Sequence, residues 1–538
     1  MTAVFGSGAD TNSYEDFENT DLIIVWGSNT QEAHPIIYNH IRRGIKNGAK
    51  MVLVDPRKLP MANFAAHYLP VRVGADIALA NSMGHVIIEE GLYDVKFIER
   101  ATEFYENYKE VTAKYTPEYA ETITGVPADQ IREVARLYAT IDRAIIAWTL
   151  GITEHHNGAD NVFALINLAL LTGKVGKPGS GLMPLRGQNN VQGGGDMGAL
   201  PNKLPGFFNV EDDVARAKFE AAWNCKIPAK NGFNQTAMFA AMRDGRIKMM
   251  FVIGENPIQS EANSGHTRSA FENLEMLVVQ DLFMTKTAEI ADVVLPASGW
   301  GEVDGTFTNS ERGIQRVRKI VNAPGEAKDD LWILQEIANH IGANWDYQSA
   351  QDVWNELRSL SPSHYGMSYE RLEREYELQW PCTSLTEPPE KVLHKRLHTD
   401  DVGMRAKFTP VEYEEPLEPA DDEYPYVLIT GRRLAFYNTG VMTRYEGGKV
   451  KDQEEYMEIN PVDAEKFQLE NGMRIIVSSR RGSVEVPVKI TDRVMEGYVF
   501  MTFHFPEQVN TNVLTNDVSD TKSGVSPYKY TAVRLERL

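Results

Sequence analysis

Two apolar runs, far apart in this chain, stop in the same way. Leu22-Ile23-Ile24-Val25-Trp26 gives way to Gly27-Ser28-Asn29, and Lys248-Met249-Met250-Phe251-Val252-Ile253 gives way to Gly254-Glu255-Asn256-Pro257. A short unbroken apolar stretch bounded by turn residues reads as a strand buried on both faces, the kind that parallel sheets contain. A glycine and an amide placed just after it read as a βα turn. The fold is thereby narrowed to α/β layering around parallel sheets. At the carboxyl edge of such sheets, helix N-termini and backbone N–H groups converge and nucleotides bind. Two copies of the turn point to two nucleotide-like groups, or to one group with two pseudo-equivalent halves. Neither turn is a GxGxxG, so neither is the usual NAD fingerprint. Any α/β protein also needs glycine-bearing turns, and that plainer reading stands beside the other.

The rest of the first half keeps the alternation. The spacing predicts a helix over 35–46 and a strand over 51–54 that ends in Asp55-Pro56-Arg57. A strand over 68–73 stops at Gly74-Ala75-Asp76, with Asp76 placed to N-cap a helix over 77–90. A strand over 144–150 and a helix over 161–171 follow, then a strand over 276–279 before Gln280-Asp281, and amphipathic helices over 330–341 and 350–360. Residues 410–423 are proline-rich and acidic and read as a linker. Beyond them, short alternating strands separated by turn residues predict a closed β domain of barrel type. At 538 residues the chain should hold about three to four domains. We divide it into an α/β dinucleotide-binding domain over 1–187, a second over 188–300, a mixed segment over 301–409 and the barrel over 410–538.

Composition is that of a globular protein, 42% hydrophobic and 24% charged. The net charge of −20 argues against nucleic acid or an anionic membrane as partner. No run is long and apolar enough for a membrane span, and the acidic start lacks a secretory signal, so a cytoplasmic location is expected. Only Cys225 and Cys382 occur. They exclude a disulfide framework and a complete iron–sulfur site within these residues, and both are read as buried thiols.

Residues 186–205 combine an arginine, an aspartate, several side-chain amides and five glycines with no helical or strand periodicity. Core placement would strand those donors and acceptors. The stretch reads as a loop pressed against a large polar ligand, its glycines letting backbone approach. Arg186 stays charged, and its planar fork matches a carboxylate bidentately. Gln188, two residues on, can steer a small anion without titrating. The plainer alternative is an arginine bonding loop carbonyls. His155-His156 is adjacent rather than at helical spacing, and no HExxH, CxxC, GxSxG or Walker A run occurs, so no protein-only metal site is expected. Loops fit to cradle ligands, with no self-contained catalytic set, imply that a cofactor supplies the reactivity.

The segments Arg186-Gly187-Gln188-Asn189-Asn190-Val191-Gln192, Gly254-Glu255-Asn256-Pro257, Gln280 to Ala288, Ala291 to Pro296 and Gln379-Trp380-Pro381-Cys382 together resemble the catalytic (alpha) subunits of formate dehydrogenases, in the molybdopterin oxidoreductase family. The resemblance runs essentially from end to end. It implies Rossmann-like parallel-sheet domains around a bis(molybdopterin guanine dinucleotide) group holding molybdenum or tungsten, and a double-psi type C-terminal barrel. It implies interconversion of formate and CO2, with Arg186 orienting substrate and Gln188 beside it. It assigns Asn29, Asp55, Arg57, Gly74 and Asp76 to one dinucleotide. Leu150, Glu154, Asn256, Ser260, Gln280, Asp281 and Asp330 go to the other dinucleotide or the pterins, and Arg432, Asn512 and Lys529 close over them from the barrel. Phe436 stands where the family often has histidine, and Phe503 where it can have tyrosine. The family's 4Fe–4S segment and its Cys-His or selenocysteine-His pair would precede Phe5; our expectation is an upstream in-frame TGA followed by a histidine codon, with residues 1–538 inactive alone. Electrons would pass to an iron–sulfur subunit, ferredoxin, NAD(P) or a hydrogenase module. A nitrate reductase-like enzyme, and a non-catalytic scaffold like the large subunit of NADH dehydrogenase, are the alternatives.

Overall fold

The five strands of the first sheet are all parallel and lie in the order β3-β2-β1-β4-β5: β1 Leu22–Trp26, β2 Lys50–Val54, β3 His67–Leu69, β4 Ala144–Trp148 and β5 Gly181–Pro184. The computed structural model describes residues 1–445 and 454–538. Period-two alternation sends Leu22, Ile24 and Trp26 into one core and Ile23 and Val25 into another. Helix α1, Pro35–Lys46, covers the second face with Ile37, Tyr38 and Ile41. Helices α2, Asp76–Glu89, and α3, Gly158–Leu171, cover the first with Leu79, Met83, Leu165 and Leu168. Each such side chain, fully buried, stabilises the fold by about 1.5–3 kcal/mol. That two-sided burial is why β1 has no polar position to alternate with.

After the first sheet comes a short helix, α4, Val191–Asp196. It corrects the expectation of an irregular loop: Gln192 and Asp196 are buried, bonded to each other within the helix, and Trp380 donates to Asp196 from 184 positions away. A second parallel sheet follows, with β6 Met249–Ile253, β7 Met276–Asp281 and β8 Val293–Pro296 in the order β8-β7-β6. Next is an antiparallel sheet that the sequence did not reveal, of β9 Gly305–Thr308, β10 Gly313–Val317 and β11 Glu377–Gln379. Helix α5, Asp330–His340, lies between the last two of these strands.

The C-terminal strands close into a barrel: β12 Tyr426–Gly431, β13 Met457–Ile459, β14 Arg474–Ser478, β15 Ser483–Ile490, β16 Tyr498–Thr502 and β17 Thr531–Arg537, in the order β12-β16-β13-β15-β14-β17. Alternate residues fill it, among them Ile475 and Val477, Val486 and Val488, Val499 and Met501, Val533 and Leu535.

The chain forms two compact units. One holds Met1–Leu185, Gln259–Thr267 and Val392–Leu538, with the first sheet and the barrel; the other holds Arg186–Ile258 and Arg268–Lys391. The mixed segment drawn at 301–409 is thus divided after Lys391. Its tail joins the first unit because Leu393 N donates to Thr11 O and Ala406–Lys407 pair with Thr102–Glu103. Cys382 is buried as expected, whereas Cys225 is exposed, one residue after the left-handed Asn224 that ends a helix. Among the described residues no helix is long and apolar enough to cross a membrane.

Candidate cofactor and substrate site

In the first unit the candidate residues gather where the strand order reverses, between β1 and β4. Gly27, at φ 58°, donates its N–H to Val54 O at 2.8 Å, and Gly151 N donates to Gly27 O at 3.1 Å. A Cβ added to Gly27 would lie 2.8 Å from the carbonyl carbon of Gly151. Only glycine fits here, so the turns after β1 and β4 lie backbone against backbone. Asn29 and Leu150 flank that contact. Asn29 Nδ2 donates to Glu32 Oε2, while its Oδ1 and Gln31 Oε1 are buried with no hydrogen-bond partner among the described residues.

Asp55 and Asp76 are both enclosed. Burial pushes the Asp55 carboxyl up to about 6, against the opposing pull of the Arg57 N–H, the Arg57 guanidinium, Lys529 and Arg493. Burial takes Asp76 to about 7; the Trp26 indole opposes this and Asp55 adds to it. Asp76 is the first residue of α2, and Ala75 is its N-cap. The expected capping role is therefore corrected: Asp76 Oδ1 accepts from Trp26 Nε1 at 2.8 Å. Gly74, at φ 89°, makes the turn before it.

The barrel supplies the remaining charges of this unit. Arg57 Nη2 donates to Glu458 Oε2 at 2.6 Å, and its guanidinium lies 3.4 Å from the centroid of the Phe500 ring. Arg493 Nη1 is 3.8 Å from Glu458 Oε1. Arg57 Nε and Arg493 Nε and Nη2 are buried with no hydrogen-bond partner among the described residues. Lys529 Nζ pairs with Glu154 Oε2 at 2.8 Å and donates to Thr430 O. Arg432 donates to Phe436 O and Ala33 O, and Asn512 Nδ2 to Gln259 O and Ser260 O. Phe436 stacks on His504 with centroids 5.4 Å apart, and Phe503 meets Tyr528 edge-on. The sequence reading missed Trp26, Glu458 and Arg493, because nothing local marks a charge that finds its partner hundreds of residues away.

The second unit repeats the device. Gly254, at φ 64°, donates its N–H to Gln280 O at 2.9 Å, as Gly27 does to Val54. Asn256 Oδ1 accepts from Thr287 N and Oγ1. Gln280 Nε2 donates to Asp330 Oδ1, leaving Gln280 Oε1 buried with no hydrogen-bond partner among the described residues. Partial desolvation holds both Asp281 and Asp330 above the ordinary carboxylate range. Arg186 belongs to this unit: its N–H donates to Ser310 Oγ at 2.8 Å and its Nε to Gln192 Oε1 at 3.2 Å. Gln188 is exposed. Among the described residues no three His, Cys, Asp or Glu side chains are grouped to hold a metal ion.

Two duplicated strand–glycine turns, each with buried acceptors and raised carboxyls, define a dinucleotide-binding α/β protein. Comparison with known proteins makes this specific. Residues 4–340 match the molybdopterin oxidoreductase family model, and residues 426–532 match the model described as "Molydopterin dinucleotide binding domain". The chain belongs to the molybdopterin oxidoreductase family. It is 44% identical over 541 residues to the F420-dependent formate dehydrogenase subunit alpha of Methanocaldococcus jannaschii, covering 100% of this chain and 80% of that one. It is 40% identical to formate dehydrogenase H of Escherichia coli, covering 99% of this chain and 75% of the relative. Acetylene hydratase from Pelobacter acetylenicus shares the fold, with a TM-score of 0.78 at 22% identity over 100% of this chain and 80% of its own.

The residues present fit a molybdopterin group. Asn29 Oδ1, Gln31 Oε1 and Gln280 Oε1, buried with no hydrogen-bond partner among the described residues, suit the N–H edges of purine and pterin rings, and the cationic side chains of Arg57 and Arg493, the latter also 3.6 Å from Glu32 Oε1, suit phosphate.

Proposed function

We propose that this chain is the catalytic subunit of a formate dehydrogenase that interconverts formate and CO2 at a molybdenum- or tungsten-bearing bis(molybdopterin guanine dinucleotide) group. The observation that carries the substrate assignment is Arg186. It is an always-charged planar donor whose backbone is fixed by Ser310 and whose Nε is held by Gln192. Relatives carrying the formate dehydrogenase name across nearly the whole chain support the reading.

In this reading Asn29, Asp55, Arg57, Gly74 and Asp76 would hold one dinucleotide. Leu150, Glu154, Asn256, Ser260, Gln280, Asp281 and Asp330 would hold the other or the pterins, with Arg432, Asn512 and Lys529 contributing from the barrel. When bound, the group supplies the two-electron chemistry that side chains lack. The chain's own work is binding and orientation. Arg186 takes both carboxylate oxygens of formate in its fork, and Gln188 donates an amide N–H to the same anion. Neither removes a proton, since arginine stays protonated and an amide does not titrate. Their contribution is position and a fixed positive field. Asp55 and Asp76 would offer acceptors to N–H groups of the bound cofactor, and such bonds would favour their charged forms. Electrons pass to an iron–sulfur subunit, ferredoxin, NAD(P) or a hydrogenase module, in the cytoplasm.

The test is assembly of the enzyme with its partner subunits in a host that makes the pterin group. Metal and guanine content are measured, with dye reduction by formate and dye oxidation by nitrate. Formate-dependent turnover that Arg186→Ala reduces about a hundred- to a thousandfold is expected. Nitrate-dependent turnover in its place, or a preparation with neither metal nor pterin, overturns the proposal.

A further inference from the structure

Asp196 has no part in the mechanism above, yet it is one of the most enclosed carboxylates in its unit. It closes α4 one helical turn after Gln192, the spacing that brings two side chains onto one face. Three hydrogen bonds run from it in series. Trp380 Nε1 donates to Asp196 Oδ2 at 2.7 Å, Gln192 Nε2 donates to Asp196 Oδ1 at 2.8 Å, and Arg186 Nε donates to Gln192 Oε1 at 3.2 Å. Trp380 is itself held, since the fully buried Arg312 donates to its carbonyl and lies 5.6 Å from its ring. The helix can pack this closely because residue 193 is glycine: a Cβ there would lie 2.0 Å from Asn190 Oδ1.

The polarity of the series is fixed at both ends. An indole N–H and a guanidinium N–H only donate, so each must meet an acceptor. A glutamine between them offers one acceptor and one donor. If its oxygen faces Arg186, its NH2 must face an acceptor on the other side, and a carboxylate at 196 can accept from Gln192 and Trp380 together. An amide at 196 cannot: one of its two neighbours would meet an N–H. The cheapest relief is to turn Gln192 over, which points its NH2 at the Arg186 Nε–H.

We infer that Asp196, acting through Gln192 and braced by Trp380, is a positioning residue that sets the plane of the Arg186 guanidinium for a planar carboxylate. Asp196 and Gln192 act on formate only through Arg186, which Gln192 touches and Asp196 does not. Through the Gln192 contact, Asp196 fixes the direction of the Arg186 Nε–H and with it the tilt of the guanidinium plane. The inference rests on the reading of Arg186 as the substrate-orienting arginine.

The experiment uses the assembled holoenzyme, with kinetics normalised to metal content and affinity read independently by titration calorimetry with nitrate, a planar anion of formate's shape. Asp196→Asn should raise the KM for formate about ten- to a hundredfold and weaken nitrate binding in parallel, with a smaller change in kcat. Adding Gln192→Glu to Asp196→Asn exchanges amide and carboxylate while keeping size and total charge. The series is then complete again, from the Trp380 N–H to the amide oxygen at 196, and from its NH2 and from Arg186 Nε to the carboxylate at 192. This double variant should return KM and nitrate affinity to within about threefold of wild type, a rescue that a merely space-filling role does not produce. Wild-type KM in Asp196→Asn, or a raised KM that the double variant does not restore, overturns the inference. If Asp196→Asn does not accumulate folded, the double variant decides by its own KM: near wild type supports the inference, raised overturns it. Arg186→Ala separates the two levels. Unchanged formate kinetics in that variant overturn both readings, whereas a crippled Arg186→Ala beside a silent Asp196→Asn overturns only the positioning role.

Discussion

The carboxyl edges of the two parallel sheets begin alike and are finished differently. Each starts with a left-handed glycine whose N–H reaches the next strand, Gly27 to Val54 O at 2.8 Å and Gly254 to Gln280 O at 2.9 Å. Each is followed by a pair of acidic residues, Asp55 with Asp76 and Asp281 with Asp330. Around Gly27, however, the turn after β4 presses backbone to backbone, whereas a Cβ on Gly254 would meet nothing within 4 Å. Asp55 and Asp76 are enclosed, while Asp281 is half-buried and Asp330 exposed. One local motif therefore gives a site preorganised by its own unit in the first case and an open cradle in the second. What decides is the number of strands and long-range partners around the turn, five strands and a barrel against three strands.

Glycine replacement should separate the edges most widely. Gly27→Ala combines a left-handed φ with a backbone collision and should lower stability by roughly 2–5 kcal/mol, with loss of soluble protein. Gly254→Ala has only the backbone cost, about 1–2 kcal/mol. Urea unfolding midpoints check both, and equal midpoints would break the contrast. Trp26→Phe should cost about 2–4 kcal/mol, because it removes bulk from the core and a donor from the buried Asp76. Gln280→Leu takes a partner from an Asp330 that water can reach, and should cost below about 1 kcal/mol.

Titration gives the sharpest difference. Asp55 and Asp76 hold protons in the folded chain up to about 6 and about 7, well above the usual carboxylate range. The native state therefore binds more protons than the unfolded one from about pH 4 upward, so stability falls as pH rises through that window. In cofactor-free protein, unfolding midpoints at pH 5 and pH 8 should differ in that direction. Asp76→Asn should flatten the slope more than Asp281→Asn or Asp330→Asn, whose carboxyls are raised in the same sense by weaker desolvation.

Local pattern made much of this visible in the sequence. Strand β1 and helix α1 fall at the expected residues because apolar spacing alone sets them. Both glycine turns and four of the six barrel strands follow from the same signal, whereas β13 and β17 did not stand out. What escaped depends on distance. Asp76 reads as a cap until Trp26, fifty positions earlier, is seen to claim its oxygen. The run from Val191 to Asp196 reads as loop because three glycines hide a turn of helix that Thr308 N, donating to Asn190 Oδ1, and Trp380 hold from outside. Arg186 and its neighbouring amides stand out by chemistry. That Gln192 and not Gln188 touches the arginine is set by packing, which no spacing rule carries.

The ion pair between Arg57 and Glu458 spans 401 positions of chain. At about 5–20 residues per second, a ribosome delivers Glu458 roughly 20–80 s after Arg57, and Arg493 later still. Through that interval the nascent first sheet carries a buried-to-be guanidinium without its counter-charge, while Arg186–Ile258 and Arg268–Lys391 of the second unit emerge. Charge pairing at that edge is thus completed only with the arrival of the last hundred or so residues.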